Sequence, residues 1–103
     1  MNKLFNLSDF QDLFIYRVEE GDTLRSIGDK FHAAETALIS LNALTQEVSV
    51  GDVLLVERTN GIPYIVKPGD SLESITNGDK NKIFEIVNKN KTDVIYVGQK
   101  IYI

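Results

Sequence analysis

"YRVEEGDTLRSI" (residues 16–27) returns 48 residues later as "YIVKPGDSLESI" (residues 64–75). Seven of the twelve positions are identical: Tyr16/Tyr64, Val18/Val66, Gly21/Gly69, Asp22/Asp70, Leu24/Leu72, Ser26/Ser74 and Ile27/Ile75, with Thr23/Ser71 a conservative eighth. Unrelated twelve-mers share roughly one position at ordinary residue frequencies. A repeat at this spacing marks a duplicated supersecondary unit. The 103 residues therefore divide into two units of about 40 residues, near the size at which a core needs a disulfide, a metal or a neighbour. The chain has no cysteine. Disulfides and thiolate metal sites are thus excluded, and packing of one unit on the other becomes an expected source of stability.

Working outward from the repeat, "FIYRV" (14–18) is rich in aromatic and β-branched residues and reads as a strand. Gly21 can take a positive φ cheaply, and Asp22 or Thr23 offers a helix cap. Leu24, Ile27 and Phe31 then fall on one helical face. A second helix is expected after "HAAE", with Thr36 as N-cap, Leu38, Ile39 and Leu41 to bury, and Asn42 at its end. "VSVGDVLLV" (48–56) closes the unit with a loop and a strand. The second unit follows the same course: a strand in "YIV", a turn at Pro68-Gly69-Asp70, and Asp70 with Glu73 at capping-box spacing. Leu72 and Ile75 begin one helical face, and Ile83, Phe84, Ile86 and Val87 supply another. "IYVGQKIYI" (95–103) matches 48–56 with Gly98 opposite Gly51; on this alignment the second unit loses two residues between its helices and gains one after Asn88. The pattern leaves parallel and antiparallel strand pairing open. Asn60-Gly61 between apolar runs is a hairpin signal that would join "VLLVE" to "PYIV". Pro63 counts against a regular central strand there, and the alternative is a short flexible linker. The resulting division is an N-terminal segment (1–14), a first unit (15–57), a linker (58–63) and a second unit (64–103).

The formal net charge is −4, from 15 acidic and 11 basic side chains, with no basic run. Nucleic-acid binding rests on Lys and Arg neutralising phosphates, so that class is excluded. No apolar run reaches the length of a membrane-spanning helix. Leu4, Leu7, Phe10 and Phe14 form a helical stripe, with Ser8 and Gln11 at capping-box spacing. Residues 4–15 are thus expected to form a short helix packed on the first unit, or a docking segment for a protein partner. Asp9 and Asp12 interrupt this stretch and no small-residue cleavage site follows, so no secretory signal is read here. That leaves the cell interior, a spore or phage particle, or the cell wall by another export route.

Catalysis needs a nucleophile with its base, paired carboxylates in a cleft, or a metal cluster. The single histidine, His32, lies in a polar loop without partners at metal-ligand spacing and reads as solvated. Asp22 and Asp70 are accounted for as caps rather than as paired acids. No catalytic residue, metal or cofactor is expected. The chain reads as a binding chain.

The whole pattern is Y-x-V-x-x-G-D-T/S-L-x-x-I, an apolar helix ending in Asn, and V/I-x-V-G followed by an apolar alternation. It occurs over Tyr16–Ile27, Leu38–Asn42 and Val48–Val56, and again over Tyr64–Ile75, Phe84–Asn88 and Ile95–Ile103. It resembles the lysin motif (LysM) family over about four-fifths of the chain. The resemblance implies an α+β fold of two tandem βααβ modules, each a two-stranded antiparallel sheet with both helices on one side. It also implies binding of N-acetylglucosamine-containing glycans, peptidoglycan or chitin, in a groove between the loop after the first strand and the loop after the second helix. Carried over by position, that groove takes Gly21, Asp22, Thr23 and Leu24 with Asn42, Ala43 and Leu44 in the first module. In the second it takes Gly69, Asp70, Ser71 and Leu72 with Asn88, Lys89 and Asn90. The last three lack the apolar residue the family often has there, which makes the first module the stronger glycan candidate. The family also occurs in spore-coat and phage-tail or baseplate proteins, so the alternative is an intracellular protein-interaction or assembly module that binds no sugar.

Overall fold

The computed structural model describes residues 12–103. The elements run β1 (Leu13–Arg17), α1 (Leu24–Phe31), α2 (Glu35–Asn42) and β2 (Val53–Glu57), then β3 (Pro63–Ile65), α3 (Leu72–Thr76), α4 (Lys80–Asn90) and β4 (Lys100–Tyr102). Among the described residues, β1 pairs with β2 and β3 with β4, both antiparallel. The fold is α+β: two βααβ units, each a two-stranded antiparallel sheet with its helices.

Side-chain alternation explains the first sheet. Phe14 and Tyr16 lie opposite Val56 and Leu54 and face the core, whereas Ile15 and Arg17 lie opposite Leu55 and Val53 and face outward. Val18, Leu24, Ile27, Ala33, Leu38, Leu54 and Val56 form the first core. The second is smaller, built on Val66, Leu72, Ile86 and Ile101.

Each repeated residue has a local task. The Tyr16 hydroxyl donates to Asp22 Oδ2 (2.5 Å), and the same oxygen accepts from Glu19 N–H (2.8 Å). Tyr64, Asp70 and Lys67 N–H repeat this at 2.6 and 2.8 Å. The glycine before each aspartate holds φ near +89° or +87°, a value open to glycine without Cβ strain. Thr23 and Ser71 are the N-caps; each forms a reciprocal capping box with the serine three residues on, Ser26 or Ser74.

Several expectations are corrected. The Asp70–Glu73 box is replaced by Ser71–Ser74, because the turn's own N–H and the tyrosine already hold the Asp70 carboxylate. Ala34, not Thr36, is the N-cap of α2, and Thr36 Oγ1 instead donates to the Asn90 carbonyl of the second unit. Ala43 takes the left-handed residue after α2, which leaves the Asn42 side chain to bind β2. Ile39 and Phe84 are exposed rather than core, since their neighbours Leu38 and Ile86 already face inward. Phe14 lies in β1, not in a helix; the rest of the predicted 4–11 stripe, with Ser8 and Gln11, lies outside the described residues. The β2–β3 hairpin does not form, because each strand is claimed by its own partner.

The stretch between the units is instead tied down. Ile62 and Ile103 exchange both backbone hydrogen bonds (2.7 and 2.8 Å), and Thr59 N–H donates to the His32 carbonyl. A Cβ on Gly61 would meet Tyr102 Cβ at 2.9 Å and the Ile103 carbonyl at 3.1 Å, so only glycine fits this close approach. Tyr102 points away from its own core and is buried between Ala34 and Ala37 of the first unit. His32 is not a free loop residue: its ring lies 4.7 Å from that of Tyr102, and Nε2 is 2.8 Å from the Gly61 carbonyl. Asp29–Lys100 (2.6 Å), Glu57–Lys91 (3.6 Å) and Arg25 to the Gly98 carbonyl (3.0 Å) add polar contacts across the same boundary.

Candidate functional site

In each unit the Gly-Asp-Thr/Ser-Leu loop faces the loop that follows the second helix. The Leu24 and Leu72 side chains belong to the cores; what these positions can offer a ligand is backbone. Each is the first residue of a helix, where N–H groups lack an intrahelical acceptor.

The second unit is open between its two loops. Asp70, Ser71, Leu72 and Glu73 on one side, with Asp93, Val94 and Ile95 on the other, flank a shallow, open groove of about 340 Å3. Three carboxylates stand around it. Asp70 is held below the usual carboxylate range, first by the Tyr64 hydroxyl and then by the Lys67 N–H. It is therefore an anion engaged in its own turn rather than a proton donor. Tyr64 is correspondingly raised by the same bond.

The first unit differs at the matching place. Glu47 Oε1 accepts from Leu24 N–H (2.8 Å) and from Val48 N–H (2.9 Å), bridging the two loops. Leu44 packs on the core, and Ala43 holds the left-handed cap at φ 51°.

The sequence register of the second post-helix loop is corrected here. Asn42 bonds the Leu38 carbonyl and both the N–H and carbonyl of Leu55. Asn90, not Asn88, repeats this with Ile86 and Tyr102. Lys91, left-handed at φ 55°, then matches Ala43, and Thr92 matches Leu44. Asn88 and Lys89 lie within α4 and line a separate hollow of about 130 Å3 with Glu57, Arg58, Thr59 and Lys91. No residues are lost between the helices; the single deletion falls after Asn90. Glu47, Asp93 and Val94 were not singled out from the sequence, and only counting back from Gly51 and Gly98 would have aligned Glu47 with Val94.

Among the described residues, no cluster of His, Cys, Asp or Glu could hold a metal ion, and no helix is long and apolar enough to cross a membrane. The LysM domain family model matches residues 16–57 and 64–77, more than half of the chain. The chain belongs to the LysM domain family. Its second matched segment covers β3, the Gly-Asp-Ser-Leu loop and α3. Among solved structures, this LysM chain is similar to the spore cortex-lytic enzyme SleL of Bacillus cereus, with 28% identity over 88% of this chain and 22% of that one, at a TM-score of 0.42. SleL of Bacillus megaterium QM B1551 gives 27% identity over 89% and 22%, at 0.41. The LysM chain thus spans about a fifth of the length of these structures. No curated protein matches it.

Proposed function

We propose that this LysM chain is a non-catalytic unit that binds polymers containing N-acetylglucosamine, peptidoglycan foremost. The observation that carries the reading is the open groove of about 340 Å3 between the two loops of the second unit, a shallow site suited to one or two units of an extended polymer. An acetamido group presents one donor, one acceptor and a methyl. Backbone N–H and C=O beside Val94 and Ile95 complement all three without charge or metal. The rim carboxylates Asp70, Glu73 and Asp93 and the net charge of −4 repel anionic polymers. They favour the uncharged N-acetyl sugar backbone over phosphate-bearing wall polymers. One or two sugars bury little area, so affinity per site is modest, and a polymer offering many sites raises retention through avidity.

Calorimetry and amide NMR with N-acetylglucosamine oligomers and muropeptides test this. Saturable binding that perturbs the 70–73 and 93–95 amides is the expected result. Silence at about millimolar sugar, the weak end of specific affinity, would overturn it.

A second reading, an assembly module, draws support from the outer face of the first sheet. Ile15 and Val53, 73% and 53% exposed, lie there together with Leu55, an apolar face of the kind that marks contact surfaces. Sedimentation over a concentration series tests it, and a monomer throughout discards self-assembly.

A further inference from the structure

We infer that Glu47 closes the groove of the first module from within, leaving the second module as the chain's open glycan site. This rests on the glycan reading above and assigns it to one of the two copies.

The Glu47 carboxylate takes the Leu24 and Val48 N–H groups on the same oxygen, at 2.8 and 2.9 Å. Leu24 N–H is the first donor of an eight-residue helix, and a carboxylate is favoured at that end by the exposed N–H groups and the helix dipole. Hydrogen bonds to a charged acceptor are about twice as strong as neutral ones. The carboxylate oxygen therefore stands where a ligand carbonyl would have to accept. A neutral acetamide that displaced it would exchange charge-assisted bonds for ordinary ones, weakening the site by about tenfold or more.

The second module is a built-in control. Counting back from Gly51 and Gly98 sets Val48 against Ile95 and Glu47 against Val94. Val94 is 64% exposed and has no side-chain acceptor to offer. Among the described residues no side chain takes the Leu72 N–H, and Leu72 and Val94 line the two sides of the groove. The Glu47/Val94 exchange, in a loop that is also one residue shorter in the second copy, removes the side chain that bridges the two loops of the first. It also reverses the order expected from the sequence, in which the second module was the weaker candidate.

The test uses the full chain as wild type, Glu47→Ala and Val94→Glu, titrated with the N-acetylglucosamine tetramer and followed at backbone amides. In the wild type, Ser71, Leu72 and Val94 should shift and saturate while Leu24 and Val48 stay still. Glu47→Ala should gain a second saturable set at Thr23 and Leu24. Val94→Glu should weaken the second module by about tenfold. Comparable binding at Leu24 and Leu72 in the wild type, or a silent first module in Glu47→Ala, would overturn the closure by Glu47 and leave the glycan reading standing. No shift in any protein would overturn the glycan reading. The closure is then decided without sugar, by hydrogen exchange at Leu24: about tenfold faster exchange in Glu47→Ala supports it, and unchanged exchange overturns it. Unperturbed amides elsewhere establish that the variants are folded.

Discussion

Tyr16 and Tyr64 act as clasps on the turns that follow them. Each donates to an aspartate six residues on and holds that carboxyl below its ordinary range. An aspartate depressed in the folded state contributes stability that is complete above the pH where an unfolded aspartate ionises. That contribution is lost as pH falls through the lower folded value. The tyrosines are raised by the same bonds, so their contribution is complete below the ordinary tyrosine range and is lost as pH rises through the raised value. Acid and alkali should therefore loosen the same turn. Tyr64→Phe should return Asp70 toward its ordinary value and flatten the acid branch of the stability profile, read from carboxyl titration by NMR. The turn glycines and the Thr23 cap were legible because each acts within a few residues of itself; the aspartates, read as caps, instead hold the turn and take the tyrosine hydroxyl. Glu47 was not legible, since its decisive partner lies 23 residues away and a glutamate in a polar loop looks like any solvated charge.

At the level of elements, the two asparagines that end the second helices tie helix to strand. Asn90 is 1% exposed and makes three hydrogen bonds, to the Ile86 carbonyl and to both backbone groups of Tyr102. Asn90→Ala would leave buried backbone groups of β4 unpaired and should cost about 3 kcal/mol by chemical denaturation. Asn42→Ala should cost less, because its site is only partly buried. Ser71→Ala should cost about 1 kcal/mol through loss of the cap, whereas Glu73→Ala should be close to neutral, since Ser74 completes the box. The order of strands and helices was legible from periodicity alone. The helix-end register was not: Asn88 and Asn90 stand about 200° apart around a helix, and only packing against β4 tells which one faces inward. Strand pairing was equally hidden, because an Asn-Gly between apolar runs signals a hairpin wherever those strands lack better partners.

For the molecule as a whole, the boundary between the units is a packed surface rather than a tether. The exposed ion pairs across it are worth little individually. Burial of Tyr102 and the close fit at Gly61 matter more. Gly61→Ala should drive Tyr102 and the Ile103 carbonyl away, cost about 2 kcal/mol as overpacking does, and split one cooperative unfolding transition into two. Residue-resolved hydrogen exchange across a denaturant series checks this; coincident loss of protection in both units would contradict it. That the units pack together was expected from their size; which residues do it was not legible, because Tyr102 alternates like any strand residue and His32 stands alone in a polar loop. The joint is also heterologous, the helix side of the first unit against the sheet's outer face of the second, and a joint of this kind can be repeated by a further unit. The place in the second unit that matches the seat of Ala34 and Ala37 for Tyr102 is, among the described residues, a hollow of about 360 Å3 with Lys82 and Glu85 in the alanines' positions. A third identical unit laid on by the same step would press its tyrosine against that charged pair instead of between two alanines.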